Sequence, residues 1–342
     1  MAECLQTRMG SLATSQGLTR RLNDRAEDHT GVSTCTFKTV LRAVFVVCVC
    51  VLGWVPAAQA LTVLDDRQHK VEITQAPQRI VSLLPSLTET VCALNQCHKL
   101  VGLDRYSNWP ESVKAVPRVG GGLDPNIERI VSLKPDLVLA AGSTRGADRL
   151  QALGLTVLRL EPRNHADAQR VLRTVAQALH VPAADSDRVW QGIQLGVQAA
   201  VQSLSARARQ QRVYFEVSPA PYGASESSFM GETLTRMGVA NILPASMGPF
   251  PQVNPEWVVK SQPDVIMAGD SSRASMLQRP GWSRLRAMQG QRLCVFKPDE
   301  SDMLVRAGPR MAEGARLMAD CLNRAAAEAP VSADNRPTEA VK

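Results

Sequence analysis

From Arg79 onward, short apolar runs alternate with stretches whose apolar residues recur at helical spacing. In the first half, RIVSL from Arg79, LVGL from Leu100, DLVLAA from Asp136 and TVLRLE from Thr156 read as strands. Ser86-Leu87-Thr88-Glu89 has the form of a capping box and predicts a helix start. Further helices are predicted near Ala147 to Leu153 and from about Ala166 to Leu179. The second half gives the strand RVYFEV from Arg212, a helix after Phe229, a segment near Trp282 to Met288, the strand RLCVF from Arg292 and a helix through Met311 to Leu322. Between the halves, Ala183 to Ala208 contains no proline and places Val189, Ile193, Val197 and Val201 four residues apart, so it reads as one helix rather than a Gly/Ser-rich linker. The predicted class is α/β: two lobes with parallel sheets flanked by helices, joined by one long backbone helix. The expected segments are a first lobe over residues 61–181, the linking helix over 182–210, a second lobe over 211–325 and a disordered tail over 326–342.

One pattern occurs twice. NIERIVSLKPDLVLA from Asn126 returns 128 positions later as NPEWVVKSQPDVIMA from Asn254, with Asn126/Asn254, Glu128/Glu256, Val131/Val259, Pro135/Pro263, Asp136/Asp264 and Ala140/Ala268 identical. Each copy spells a helix, a corner and a strand, and each opens on a glutamate. A carboxylate in the first turn complements the helix dipole by ~0.3–1 kcal/mol, which does not account for the shared Asn-x-Glu spacing.

The N-terminus reads as an address. Lys38 and Arg42 precede the uncharged apolar run Ala43 to Val55, and Ala58-Gln59-Ala60 supplies small residues for cleavage, so residues 1–60 are expected to be an extension and signal peptide removed before Leu61. A membrane anchor is the alternative, but the run is short of the ~20 apolar residues that a span requires. Residues 1 to 36 are polar and show no periodicity. Removing the six basic and four acidic residues of the first sixty leaves 33 Lys and Arg against 28 Asp and Glu. That mild excess is interspersed and lacks an aromatic-interleaved basic stripe, which argues against nucleic acid as a partner. Four cysteines remain in the exported portion, Cys92, Cys97, Cys294 and Cys321. Three pairings are open to them; pairing 92 with 97 and 294 with 321 is expected because each bridge then stays within one half, and free buried thiols are the alternative.

Reacting groups of an enzyme are not evident. His69, His98, His165 and His180 are scattered without metal-ligand spacing, and there is no nucleophile elbow, Walker loop or dinucleotide fingerprint. Gly120-Gly121-Gly122 reads as a turn at a cleft edge rather than a phosphate cradle. Aromatic and polar residues instead gather in segments that follow strands: Tyr106-Ser107-Asn108-Trp109, Pro221-Tyr222, Phe250-Pro251 and Ser301-Asp302. Open α/β sheets bind ligands at the carboxyl ends of their strands.

RIVSLLPSLTETV, DRYSNWP, NIERIVSLKPDLVLAAG, FPQVNPEWVVKSQPDVI and ESDMLVRAGPR together resemble the periplasmic cobalamin-binding proteins of ABC importers, and more broadly the helical-backbone substrate-binding proteins that also carry haem and iron siderophores. The resemblance runs from about Pro77 to Asn323. It implies a periplasmic, monomeric receptor without catalysis, cofactor or resident metal. Cobalamin or a related corrinoid would lie between the lobes, touched by Tyr106, Tyr222, Phe250 and Asp302, with Arg306 nearby. Glu128 and Glu256 would meet arginines on a membrane permease dimer. The chain departs from the pattern in having no tryptophan just before the first Asn-x-Glu helix, and Phe250 stands where a tryptophan can occur. A haem or ferric-siderophore receptor and a secreted α/β enzyme are the competing readings.

Overall fold

The computed structural model describes residues 61–289 and 292–328. The expected signal peptide and its extension, and residues 329–342 of the expected tail, lie outside the described residues.

Leu61–Leu64 (β1) and Lys70–Ile73 (β2) pair antiparallel, and their alternation places Val63, Val71 and Ile73 in the first core. The first lobe continues with Ile80–Ser82 (β3), helix Pro85–Ala93 (α1), Leu100–Leu103 (β4), helix Ile127–Ser132 (α2), Leu137–Ala140 (β5), helix Ala147–Ala152 (α3) and Val157–Arg159 (β6). These four strands run parallel in the order β4-β3-β5-β6. Residues of β3, β5 and β6 are buried on both faces, which is why their sequence runs are continuous rather than alternating. Helix His165–Ala178 (α4) then covers the sheet with Val171, Leu172 and Val175.

Helix Ala183–Gln202 (α5) carries the chain to the second lobe. Its twenty residues span ~30 Å. Ile193 and Val197 are buried, and Val189 and Trp190 pack against the cores of both lobes. The helix ends sooner than the predicted Ala208. Asn323 accepts the Ser205 N–H at 3.0 Å and donates to the Ser203 carbonyl at 3.0 Å, so the backbone groups needed to extend the helix are taken by a side chain far away in sequence.

The second lobe comprises Arg212–Ser218 (β7), Tyr222–Gly223 (β8), helix Phe229–Arg236 (α6), Ala240–Asn241 (β9), helix Pro255–Ser261 (α7), Val265–Gly269 (β10), helix Asp270–Gln278 (α8), Leu293–Phe296 (β11), helix Pro298–Leu304 (α9) and helix Met311–Glu328 (α10). The order β11-β10-β7 is parallel; β9 pairs parallel with the start of β7, and β8 pairs antiparallel with its end. Helix α10 lies along α5, so close that a Cβ on Gly196 would sit 2.5 Å from that of Ala312.

Four sequence expectations change. The predicted tail begins inside α10, because Ala325 and Ala326 are buried in the second core. Ser86 is not a cap: Leu84 is the N-cap of α1, Pro85 opens the helix, and the Glu89 carboxylate points elsewhere. Ser301 and Asp302 lie on α9 rather than in a loop, since Pro298 starts a helix whose first turn is secured by Glu300 accepting the Lys297 N–H at 2.9 Å. Helix α8 follows β10 where no helical pattern is evident in the sequence. Cys92 is bonded to Cys97, and Cys294, on β11, to Cys321 on α10.

Candidate functional site

The loops after β4 and β6 touch the second lobe, so the carboxyl ends of the first sheet face it. On one side the contact is ionic. The buried Glu89 on α1 accepts from Arg306 Nη1 at 2.9 Å and is gripped by Arg310 through Nε at 2.9 Å and Nη2 at 2.6 Å. Arg306 also donates to Asn108 Oδ1 at 2.8 Å and to the Tyr106 carbonyl at 3.0 Å, and pairs with Asp302 at 2.9 Å. Asn108 Nδ2 closes the ring on Asp302 at 2.7 Å. The Arg310 guanidinium lies 4.8 Å from the centroid of the Trp109 ring. Glu89 is 1 % exposed, and each oxygen is met by a charged donor, as buried ions require.

On the other side the contact is made by backbone groups, a neutral ring and one carboxylate, with no ion pair between the lobes. The N-terminal N–H of α4, at His165, donates to Glu232 Oε2 at 2.6 Å, while the first N–H of α6, at Phe229, donates to the Arg163 carbonyl at 2.9 Å. The His165 ring is buried with Nε2 2.9 Å from Thr233 Oγ1 and 3.2 Å from the Phe229 carbonyl; its Nδ1 has no partner. Burial, with Arg236 adding repulsion, pushes the imidazole down to about 4.

The segments that follow β3, β4, β5 and β6 line a cavity of about 470 Å³ in the first lobe. Its apolar wall includes Leu83, Leu84, Pro85 and Leu123, and Tyr106, 62 % exposed, stands at its rim. The Tyr106 loop is held from below: buried Asp104 accepts the Tyr106 N–H at 2.7 Å and the Ser107 N–H at 3.2 Å, and the Ser107 hydroxyl donates to its other oxygen. Burial raises the Asp104 pKa above the ordinary carboxyl value, and these hydrogen bonds pull it partly back. Thr88 Oγ1 lies 2.8 Å from Ser107 Oγ and 2.9 Å from Ser82 Oγ, so α1 and β3 also hold this loop. Gly121 and Gly122 line the cavity, and Gly120 turns the chain into it with φ 98°. A Cβ on Gly120 would meet the Asp124 carbonyl at 2.4 Å, a close approach that only glycine permits.

The residues named from sequence fall into groups. Tyr106, Asp302 and Arg306 come together, but Arg306 is buried in the lobe contact and Asp302 is 35 % exposed in its side chain. Tyr222 and Phe250 share one edge of the second lobe, where Gly223 donates to the Pro251 carbonyl at 3.0 Å and the Phe250 ring meets Phe229 edge-on at 6.4 Å. Glu128 and Glu256 sit in the first turns of α2 and α7. Within each copy the other repeated polar residues have clear structural work. Asn126 and Asn254 cap their helices at 2.9 Å; Asp136 accepts the N–H groups of Gln78 and Arg79 before β3, and Asp264 that of Arg212 at the start of β7. The glutamate carboxylates are exposed and make no ion pair among the described residues. Glu89, Arg310 and His165, which join the lobes, escaped sequence reasoning because their partners are 217, 221 and 64 to 68 residues away.

The sequence pattern of the periplasmic binding proteins matches residues 80–300. The chain belongs to this family. It is a periplasmic binding protein of the helical-backbone class, of the kind that serves ABC importers. A substrate-binding lipoprotein of an ABC transporter from Bacillus subtilis, YvrC, is 29 % identical over 277 residues, 77 % of this chain and 85 % of its own. A vitamin B12-binding protein from Yersinia pestis is 33 % identical over 202 residues, 56 % of this chain and 70 % of its own. Among solved structures, the vitamin B12-binding protein BtuF of Vibrio cholerae superposes with a TM-score of 0.61 at 24 % identity, covering 73 % of this chain and 98 % of that one. A haem-binding protein from Pseudomonas aeruginosa gives 0.64 at 23 %, covering 72 % and 93 %. Periplasmic binding proteins with two lobes thus supply the fold of this chain, and the names of its relatives and neighbours include vitamin B12-, haem- and iron-binding proteins.

Proposed function

We propose that this periplasmic binding protein captures cobalamin or a related corrinoid between its lobes and delivers it to the permease of an ABC importer without catalysing a reaction. The observation that carries the reading is the apolar cavity at the strand ends, with Tyr106 braced at its rim. A corrin needs a broad apolar and aromatic surface with few polar anchors, and a loop fixed before binding loses little entropy on capture. The vitamin B12-binding relative supports the ligand class. Tyr222 and Phe250 would supply the opposing surface, and the exposed edge of Asp302, held by Arg306, a polar contact. Calorimetry of the native protein against cyanocobalamin and against haemin tests the reading: cyanocobalamin is expected to bind, and Tyr106→Ala to weaken it about tenfold. Binding of haemin alone would overturn it in favour of a haem receptor.

Delivery rests on the repeated glutamates. Asparagine and aspartate of each copy are occupied by the fold, which leaves Glu128 and Glu256 as equivalent plugs for two equivalent sockets of a permease dimer. The double variant Glu128→Ala/Glu256→Ala is expected to keep native ligand affinity and to lose uptake in a transport assay. Uptake at the native rate would leave the repeat as a duplicated fold unit only.

A further inference from the structure

Glu161 ends the strand run TVLRLE, just beyond β6, and lines the cavity at the strand ends of the first lobe. The other acids there are occupied. Asp104 is satisfied by its own loop, and Asp124 pairs with Arg105. Glu161 is half-buried and makes no ion pair among the described residues. Its backbone is fixed by its N–H donating to Asp66 Oδ2 at 2.6 Å, and its carboxylate is steered by Ser143 Oγ, which donates to Oε1 at 3.2 Å. Of the arginines that share a groove with Glu161, Arg67 reaches Asp148 and the Gly142 carbonyl, Arg170 reaches Asp66 and Asp167, and Arg163 makes no ion pair with Glu161. The result is an oriented acceptor without an ion pair, in a cavity whose other acids are already bound.

We infer that Glu161, positioned by Ser143, selects the ligand by the charge of its periphery: it accepts a hydrogen bond from a neutral amide donor and turns away a carboxylate at the same place. This deepens the corrinoid reading and rests on it, because a corrin rim carries amides whereas haem carries carboxylates. A charge-assisted hydrogen bond is stronger than a neutral one, and two carboxylates meeting in a partly desolvated cavity repel. Both effects favour the amide.

The test compares two probes on the full-length native protein: cyanocobalamin, and cobalamin monocarboxylic acid in which one side-chain amide has been hydrolysed, assayed as separated isomers. Equilibrium dialysis is expected to show a preference for the amide over at least one isomer by about tenfold or more. Glu161→Gln, of the same shape, should reduce that preference to within about threefold while leaving the thermal midpoint near native. Ser143→Ala, which frees the carboxylate to rotate, should reduce it in the same direction by a smaller factor, and supplies the test should the glutamine variant fold poorly. A native protein that binds cyanocobalamin and every isomer equally, or variants that keep the full native preference, would overturn the role of Glu161 and leave the corrinoid reading standing. A native protein that binds neither probe overturns both.

Discussion

The two lobes meet twice, and the two contacts hold by opposite means. At Glu89 three charged groups are buried together; at His165 a titratable ring is buried without charge. The first contact depends on every ion keeping its partner, because a lone buried charge is costly. The second depends on the ring staying neutral, because protonation at Nδ1 would create a donor with no acceptor. The same protein therefore has one lobe contact that deletion should break and another that acid should break.

The largest effect is expected from Glu89→Ala. Removing the carboxylate leaves Arg306 and Arg310 buried and facing each other, which should cost about 3–5 kcal/mol in denaturant unfolding. Loss below 1 kcal/mol would show that water enters and that the contact is not a dry ionic one.

Acid sharpens the contrast. The folded His165 titrates at about 4, against 6.5 when unexposed to these surroundings. The unfolded chain therefore binds the extra proton first as pH falls, so stability is fully present above about 6.5, declines between there and about 4, and levels off below. The full decline from this one ring is up to about 3 kcal/mol. Carboxylates titrate in part of the same window, so the measurement is the difference between native protein and His165→Asn, whose slope should be shallower. Equal slopes would remove His165 from the account.

The smallest effect is expected at the edge of the ionic contact. Trp109→Leu removes the ring beneath the Arg310 guanidinium and should cost about 1 kcal/mol by thermal unfolding, much less than Glu89→Ala. A cost equal to that of Glu89→Ala would mean that the ring, not the carboxylate, holds Arg310 in place.

Sequence periodicity captured what is local or repeated. The central strands β3, β5, β7 and β10 lie where continuous apolar runs place them, because burial on both faces leaves no alternation to misread. The repeat at Asn126 and Asn254 is legible because the same spacing recurs, although its aspartates clamp strands 52 to 58 residues away. Glu89 was misread as part of a capping box because Ser86-x-x-Glu89 has the right spacing, while the arginines that claim the carboxylate lie more than 200 positions away. Ser301-Asp302 reads as a loop because it follows a strand, whereas Pro298 starts a helix there that carries both residues. Tyr106, Tyr222 and Phe250 were singled out by position after strands, but the cavity between β-strand ends, and Glu161 within it, depend on how four loops approach one another.

The turn after α5 has a consequence for how this molecule could be taken apart. The covalent chain passes from lobe to lobe through α5 alone within residues 61–289, and Ser205, Ala206 and Arg207 lie exposed at its end. A trypsin cut after Arg207 would sever the polypeptide but leave α10 lying against α5, Asn323 bridging the two sides of the nick, and both lobe contacts untouched. Two chains divided at this point are expected to stay together through those contacts, and size-exclusion chromatography of the nicked protein would show it.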